Sequence, residues 1–295
     1  MNNKFNLTTI MLIAAIGIGM SNPSMATQTT VADLINSTDF HGISVDPYDP
    51  SRIYLATHVG IFVTDPDGEA RSISNFRADF MGFSPDPNNP DIFYGSGHPA
   101  TGGNLGIVKS MDRGISWSKI SDGVNGPVDF HQMDVSKANP DVIIGNAQGL
   151  QISRDAGRSW KIVAPSPEGT IDLAASAVDE NTLYAATRTG IITSVDGGIS
   201  WNSAHPSIRP ATKITTAPDG KIYAFMIGTG LISTAEQELD WQLLGNDLGD
   251  QFMLHFTVDP SNDQNMYAVT FSQQTRKLAI VASTDGGINW KALGE

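Results

Sequence analysis

Cysteine is absent from this sequence. No disulfide can therefore staple the chain, and no acylated cysteine can anchor it to a membrane. Basic residues are scarce, 18 lysines and arginines against 31 acidic residues. That balance argues against a nucleic-acid or anionic-membrane surface, both of which need clustered positive charge. One long apolar run occurs, "IMLIAAIGIGM" from Ile10 to Met20, and no second follows. It is short for a membrane span. Lys4 precedes it, and Ser24 and Ala26 occupy small-residue positions after it. The pattern predicts a signal peptide over residues 1–26, cleaved after Ala26, and a secreted or periplasmic product without a membrane anchor. The remaining 269 of 295 residues, with Lys4 removed, are strongly acidic. Acidity of this kind keeps an exported protein soluble.

What the sequence has is a repeat. Four segments share Ser-x-Asp-x-Gly-x-x-Trp: "SMDRGISW" (Ser110–Trp117), "SRDAGRSW" (Ser153–Trp160), "SVDGGISW" (Ser194–Trp201) and "STDGGINW" (Ser283–Trp290). A fifth, "STAEQELDW" (Ser233–Trp241), keeps Ser and Trp but has lost the Asp and Gly. The spacing suits a hairpin turn. The carboxylate accepts backbone N–H groups, glycine supplies positive φ, and the Trp enters the next strand to pack between sheets. Strand-like runs precede each copy, among them "RIYLAT", "IFYGSG", "TLYAAT", "KIYAFM" and "NMYAVT", separated by turn signals such as "DPYDP" and "DPNNP". Tyr54, Tyr94, Tyr184, Tyr223 and Tyr267 fall at one equivalent position, which marks them as packing residues.

On these boxes the chain resembles the Asp-box (BNR) repeat propellers. The expected fold is all-β, a six-bladed β-propeller over residues 39–295 with about 43 residues per blade, led in by residues 27–38. Seven blades is the alternative count, for which a seventh set of signals is missing. No strand is visibly exchanged between the ends. Closure is expected from packing of blade one on blade six, or from residues 27–38 acting as a latch. The triplet Asp-Phe-His-Gly with "YLATHVGIF" and "SGHP" is also similar to exported bacterial Asp-box proteins named glycosyl hydrolases for their repeats.

The first strands of three adjacent blades begin alike, with "DFHG" at Asp39, "DFMG" at Asp79 and "DFHQ" at Asp129. His58 and His98 end the second strands of blades one and two, aligned with Gln148 and Arg188 in blades three and four. In a propeller, first strands line the axial channel, so these residues are expected near one channel mouth. In the other blades Ile171-Asp172-Leu173, Ala211-Thr212-Lys213 and Met253-Leu254-His255 take the place of the triplet, leaving one half of the ring rich in Asp, His and Met. The metal-ligand candidates are His41, His58, Met81, His98 and His131. Imidazole, thioether and carboxylate together suit copper, and imidazole with carboxylate suits zinc. Convergence of the four imidazoles on one point would mark the site. Asp39, Asp79, Asp129, Gln148, Asp172 and Arg188 are the further ligand-binding candidates.

Each feature also has a structural explanation. The repeated Asp can cap a strand, the His can bridge blades, Met81 can fill the core, and the longer loop "HPATGGNLG" is either a lid or decoration. Three functions follow from the same residues. Binding of a small ligand or metal without catalysis leads. A glycan hydrolase comes second, resting on paired carboxylates among Asp39, Asp79, Asp129 and Asp172. The sialidase pattern itself is missing, since the resemblance would require an arginine triad and a tyrosine nucleophile. A protein-binding assembly scaffold is third.

Overall fold

The computed structural model describes residues 28–245 and 248–294. The expected signal segment, residues 1–26, lies outside the described residues.

Six antiparallel sheets are arranged as the blades of a β-propeller. Blade one holds β1 (Gln28–Thr30), helix α1 (Val31–Ser37), β2 (Phe40–Asp46), β3 (Asp49–Thr57), β4 (Gly60–Thr64) and β5 (Glu69–Ser72). Blade two holds β6 (Ala78–Pro85), β7 (Phe93–Pro99), β8 (Ile107–Ser110) and β9 (Ser118–Ser121). Blade three runs from β10 (Met133–Val135) through β11 (Ile143–Asn146) and β12 (Leu150–Ser153) to β13 (Lys161–Ala164). Blade four contains β14 (Thr170–Ala175), β15 (Leu183–Thr187), β16 (Gly190–Ser194) and β17 (Asn202–Ser203). Blade five contains β18 (Ala211–Thr216), β19 (Lys221–Met226), β20 (Gly230–Ala235) and β21 (Gln242–Gly245). Blade six is β22 (Gln251–Val258), β23 (Met266–Ser272), β24 (Leu278–Ser283) and β25 (Lys291–Ala292). The first strand of each blade contacts the first strand of the next, and β22 returns to β2, so these strands form the inner wall.

The repeated boxes fold alike. In blade four Ser194 Oγ donates to Asp196 Oδ1 at 2.7 Å and accepts from Gly198 N at 2.8 Å. Asp196 also accepts from Ser200 N at 2.9 Å, and Trp201 Nε1 donates to Gly198 O at 3.1 Å. Blades two, three and six repeat the scheme around Asp112, Asp155 and Asp285. These bonds hold the carboxyls of Asp155, Asp196 and Asp285 down at about 2, as expected of a carboxylate accepting several donors. The decayed copy is repaired from elsewhere. Glu236 is buried and accepts Ala177 N at 2.8 Å, Tyr184 Oη at 3.2 Å and Ser176 Oγ, tying blade five to blade four. Trp241 Nε1 donates to Ala204 O at 2.7 Å in the preceding blade.

The core lies between blades. Tyr54, Tyr94, Tyr184, Tyr223 and Tyr267 are all buried, as their shared position predicts. The ring closes without strand exchange between its ends. Instead, β1 adds a fifth, outermost strand to blade one, pairing Thr29 with Ala70. A capping box then starts α1: Asp33 N donates to Thr30 Oγ1 at 3.1 Å and Thr30 N to Asp33 Oδ2 at 3.2 Å. The helix buries Val31 and Leu34 in a cluster with Ile43 and Leu55 of blade one and Val269 and Ile280 of blade six.

Candidate functional site

The inner strands carry a regular irregularity that the sequence does not display. Four blades besides blade one show the same register shift. Phe40 pairs with Thr57 and Gly42 with Ala56, leaving His41 extra. The extra residue is Met81 in blade two, Ile171 in blade four, Thr212 in blade five and Leu254 in blade six. A bulge of this kind redirects one side chain out of the pleat. With His131, these residues surround the channel mouth. The next position inward, held by Gly42, Gly82, Gln132, Asp172, Lys213 and His255, lines the throat below.

This register corrects the sequence alignment. Asp172 is equivalent to Gly42, not to Asp39 or Phe40. It sits in the throat, where its Oδ2 accepts Lys213 Nζ at 2.7 Å and Ile214 N at 3.0 Å. His255 Nε2 donates to Phe40 O at 2.9 Å, a backbone acceptor that fixes the tautomer. Burial pushes its pKa down to about 3, with Lys213 and His41 adding to the effect. Gln148 and Arg188 are exposed in the turns that follow β11 and β15, and neither belongs to the His–Asp groups described below. Met81 lines the mouth beside His41 and His131. His205 pins its own turn, accepting Ser207 N at 2.9 Å against the Trp241 ring.

The four rim histidines do not converge on a single point. They form two triads, one at each blade boundary. His98, Asp129 and His131 bring three ligand atoms within 4.8 Å of one another, and so do His41, His58 and Asp79. In the first triad both imidazoles address one oxygen: His98 Nε2 is 3.0 Å and His131 Nε2 2.8 Å from Asp129 Oδ2. The long loop after β7 has a definite role here. His98 Nδ1 lies 3.0 Å from Gly103 O, and since a carbonyl only accepts, Nδ1 carries the proton. Gly102 and Gly103 take φ of +86° and +82°, which lets the loop bend its carbonyl back onto the ring. That bond, with the Asp129 charge behind it, raises the His98 pKa.

In the second triad His41 Nε2 is 3.5 Å from Asp79 Oδ1, and His58 Nδ1 is 3.6 Å from Asp79 Oδ2. The two rings stack, centroids 4.5 Å apart and planes 26° from parallel. His58 Nε2 faces Asp39 Oδ2 at 3.9 Å. Burial, assisted by His58, pushes His41 down to about 4 against the pull of Asp79 and Asp39.

Buried polar atoms normally find partners. Among the described residues five buried side-chain atoms have none, and three of them belong to these triads: His41 Nε2, Asp79 Oδ1 and Asp129 Oδ1. A fourth, Thr212 Oγ1, lies at the same mouth. The histidines and aspartates of both groups were candidates in the sequence. It gave no signal for Gly103 O or for the bulge that aims His41 and Met81.

No family model matches the chain, and no curated protein matches it. Solved structures do share the fold. A GH74 xyloglucanase from Xanthomonas campestris superposes with a TM-score of 0.59 at 18% identity, over 90% of this chain and 46% of that one. The chain thus spans about half the length of that enzyme. A YCF48 protein bound to a D1 peptide gives a TM-score of 0.52 at 15% identity, covering 91% of this chain and 86% of that chain. YCF48 from Cyanidioschyzon merolae gives 0.51 at 16% identity, covering 90% and 87%. At these identities the likeness establishes the β-propeller fold.

Proposed function

We propose that this protein is an exported, non-catalytic binder of a divalent transition-metal ion, zinc or copper, held at the propeller rim by His98, Asp129 and His131. One observation carries the reading. His98 has committed its Nδ1–H to Gly103 O, so in the neutral ring the Nε2 lone pair faces the Asp129 carboxylate at 3.0 Å. Two lone pairs at that distance repel; a proton on Nε2, favoured by the raised pKa, or a metal cation bound there removes the repulsion. An imidazole oriented by a backbone carbonyl on its far nitrogen is the usual arrangement of a metal-bound histidine. Asp129, with a side chain only 13% exposed and Oδ1 unpartnered, supplies the neutralising charge.

The carboxylates favour this reading over glycan hydrolysis. Asp79 and Asp129 are each flanked by two imidazoles, and Asp172 is paired with Lys213. Asp39 is exposed and lines the mouth cavity with Asp172, but the Asp172 carboxylate is spent on Lys213 Nζ and Ile214 N. The scaffold reading draws on a YCF48 neighbour bound to a peptide, at an identity that carries only the fold.

Elemental analysis tests the proposal. The protein is purified without a polyhistidine tag or chelator, beside a His98→Ala/His131→Ala variant. A stoichiometric ion present in the wild type and reduced in the variant is the expected result. Wild-type protein that holds no zinc or copper, even after incubation with both salts and desalting, would end the metal reading.

A further inference from the structure

We infer that the rim holds a second, separate metal ion, bound by His41 Nε2, His58 Nδ1 and Asp79, with Asp39 as its positioning residue. The inference rests on the metal reading above but concerns different residues.

The geometry of the second triad departs from that of a hydrogen-bonded cluster. At 3.5 and 3.6 Å, the Asp79 oxygens are too far from His41 Nε2 and His58 Nδ1 for good hydrogen bonds. Those separations are instead close to the roughly 3.3 Å edge of a tetrahedron with metal–ligand bonds near 2 Å. The orphaned atoms agree: His41 Nε2 and Asp79 Oδ1 are buried and unpartnered, and they are the pair at 3.5 Å. An ion between them would satisfy both.

The surroundings fit as well. His58 Nε2 faces Asp39 Oδ2 at 3.9 Å, beyond a hydrogen bond but within ion-pair reach, so the Asp39 charge favours the proton on Nε2 and leaves Nδ1 as the lone-pair nitrogen beside Asp79. A carboxylate behind a ligating imidazole fixes its tautomer and raises its basicity. Two imidazoles and one carboxylate leave a tetrahedral ion one open position, and His41 lines the mouth cavity.

The two triads are distinct yet joined. Asp79 on β6 and His98 on β7 are register partners in blade two. Asp79 reaches back to the blade-one histidines, whereas His98 reaches forward to Asp129 and His131. Each boundary therefore has its own complete donor set, with no residue shared.

The experiment counts ions. Full-length mature protein is stripped with chelator, reloaded with zinc or with copper, desalted and analysed for metal per chain. Wild type, His58→Ala and His131→Ala are compared, with melting curves to show that each is folded. Two equivalents in the wild type and one in each variant is the expected result. Asp39→Asn should keep two equivalents but weaken one by about ten-fold in chelator competition. One wild-type equivalent that survives His58→Ala and is lost in His131→Ala would overturn the second site and leave the first standing. One equivalent lost in both variants would mean a single shared ion, which also overturns it. No metal in any protein would sink the metal reading itself, and this inference with it.

Discussion

Asp79 and His98 face each other across β6 and β7 as register partners, yet their side chains serve different neighbours. Asp79 engages His41 and His58 of blade one, and His98 engages Asp129 of blade three. Blade two is thus the hinge-pin of the rim. Gly97, next to His98, allows this. It adopts φ +144°, and a Cβ there would lie 2.0 Å from Asp79 O. Only glycine lets the two strands approach so closely just where their side chains diverge.

The loop carbonyl behind His98 can be displaced without touching a ligand. Gly102 and Gly103 have open space around them, but both sit at positive φ, which alanine resists. A Gly102→Ala/Gly103→Ala variant should therefore shift the loop and release His98 Nδ1. Loading at the Asp129 triad is expected to weaken about ten- to hundred-fold, as when other outer partners of metal-bound histidines are lost. Competition against a chelator of known affinity reads this directly. Unchanged affinity would show that Gly103 O does not orient the ring.

The blades were legible in the sequence because each box is local: Ser110, Asp112, Gly114 and Trp117 bond one another within a single turn. The side of the ring bearing the histidines was legible for the same reason, since strand order fixes which loops share a face. Convergence was not. Whether His41 meets His58 or His131 depends on the bulge at Phe40–Gly42 and on blade-to-blade rotation, and neither leaves a local residue pattern. The triplets of blades four to six were misaligned because strand register is not local. Pairing across the bulges sets Asp172, Lys213 and His255 level with Gly42, one step deeper than the triplet places Lys213 and His255 and two steps deeper for Asp172. The latch shows a further limit. The Thr30–Asp33 capping pair is a recognisable helix start, but only the packed ring shows Leu34 entering the seam between blades one and six.

That seam makes Leu34 a sensitive position. It is 4% exposed and packs in a cluster drawn from both ends of the ring. Leu34→Ala should destabilise by about 2–4 kcal/mol, the usual range for a buried leucine truncation. Chemical unfolding monitored by tryptophan fluorescence measures this. A change below about 0.5 kcal/mol, the size of an ordinary surface substitution, would show that the helix does not help close the ring.

Glu236 replaces the lost box aspartate in a different way, reaching into the blade-four turn. Removing its carboxylate in Glu236→Ala would strand Ser176 Oγ, Ala177 N–H and Tyr184 Oη together. An unsatisfied buried donor costs about 1–3 kcal/mol, so a loss of at least about 3 kcal/mol is expected. Tyr184 supplies a second readout. Burial raises its pKa, and the Glu236 charge and hydrogen bond raise it further. In the variant a tyrosine should titrate at lower pH in an ultraviolet difference spectrum. A wild-type titration curve would mean the contact does not hold in solution.

The throat makes stability depend on acid. His255 is neutral in the fold, its pKa pushed down to about 3 by burial first and by Lys213 and His41 after it. In the unfolded chain it titrates near 6.5. The unfolded state therefore binds more protons between those values, and stability must fall as pH drops from about 6.5 toward 3. His41, held at about 4, acts in the same direction. His98 acts oppositely in the metal-free protein: its raised pKa contributes stability at low pH that is lost as pH rises. The box aspartates, held at about 2, stay ionised in the fold across the window from pH 6.5 to 4. His255→Gln isolates the throat, because the amide still offers an N–H to Phe40 O but cannot titrate. With metal removed, the variant should lose stability less steeply than wild type from pH 6.5 to 4. The difference approaches one proton, or about 1.4 kcal/mol per pH unit. His98 is common to both proteins and cancels in the comparison, whereas His41 is coupled to His255 and cancels only in part. Parallel unfolding curves across that range would mean that His255 is not held neutral in the throat.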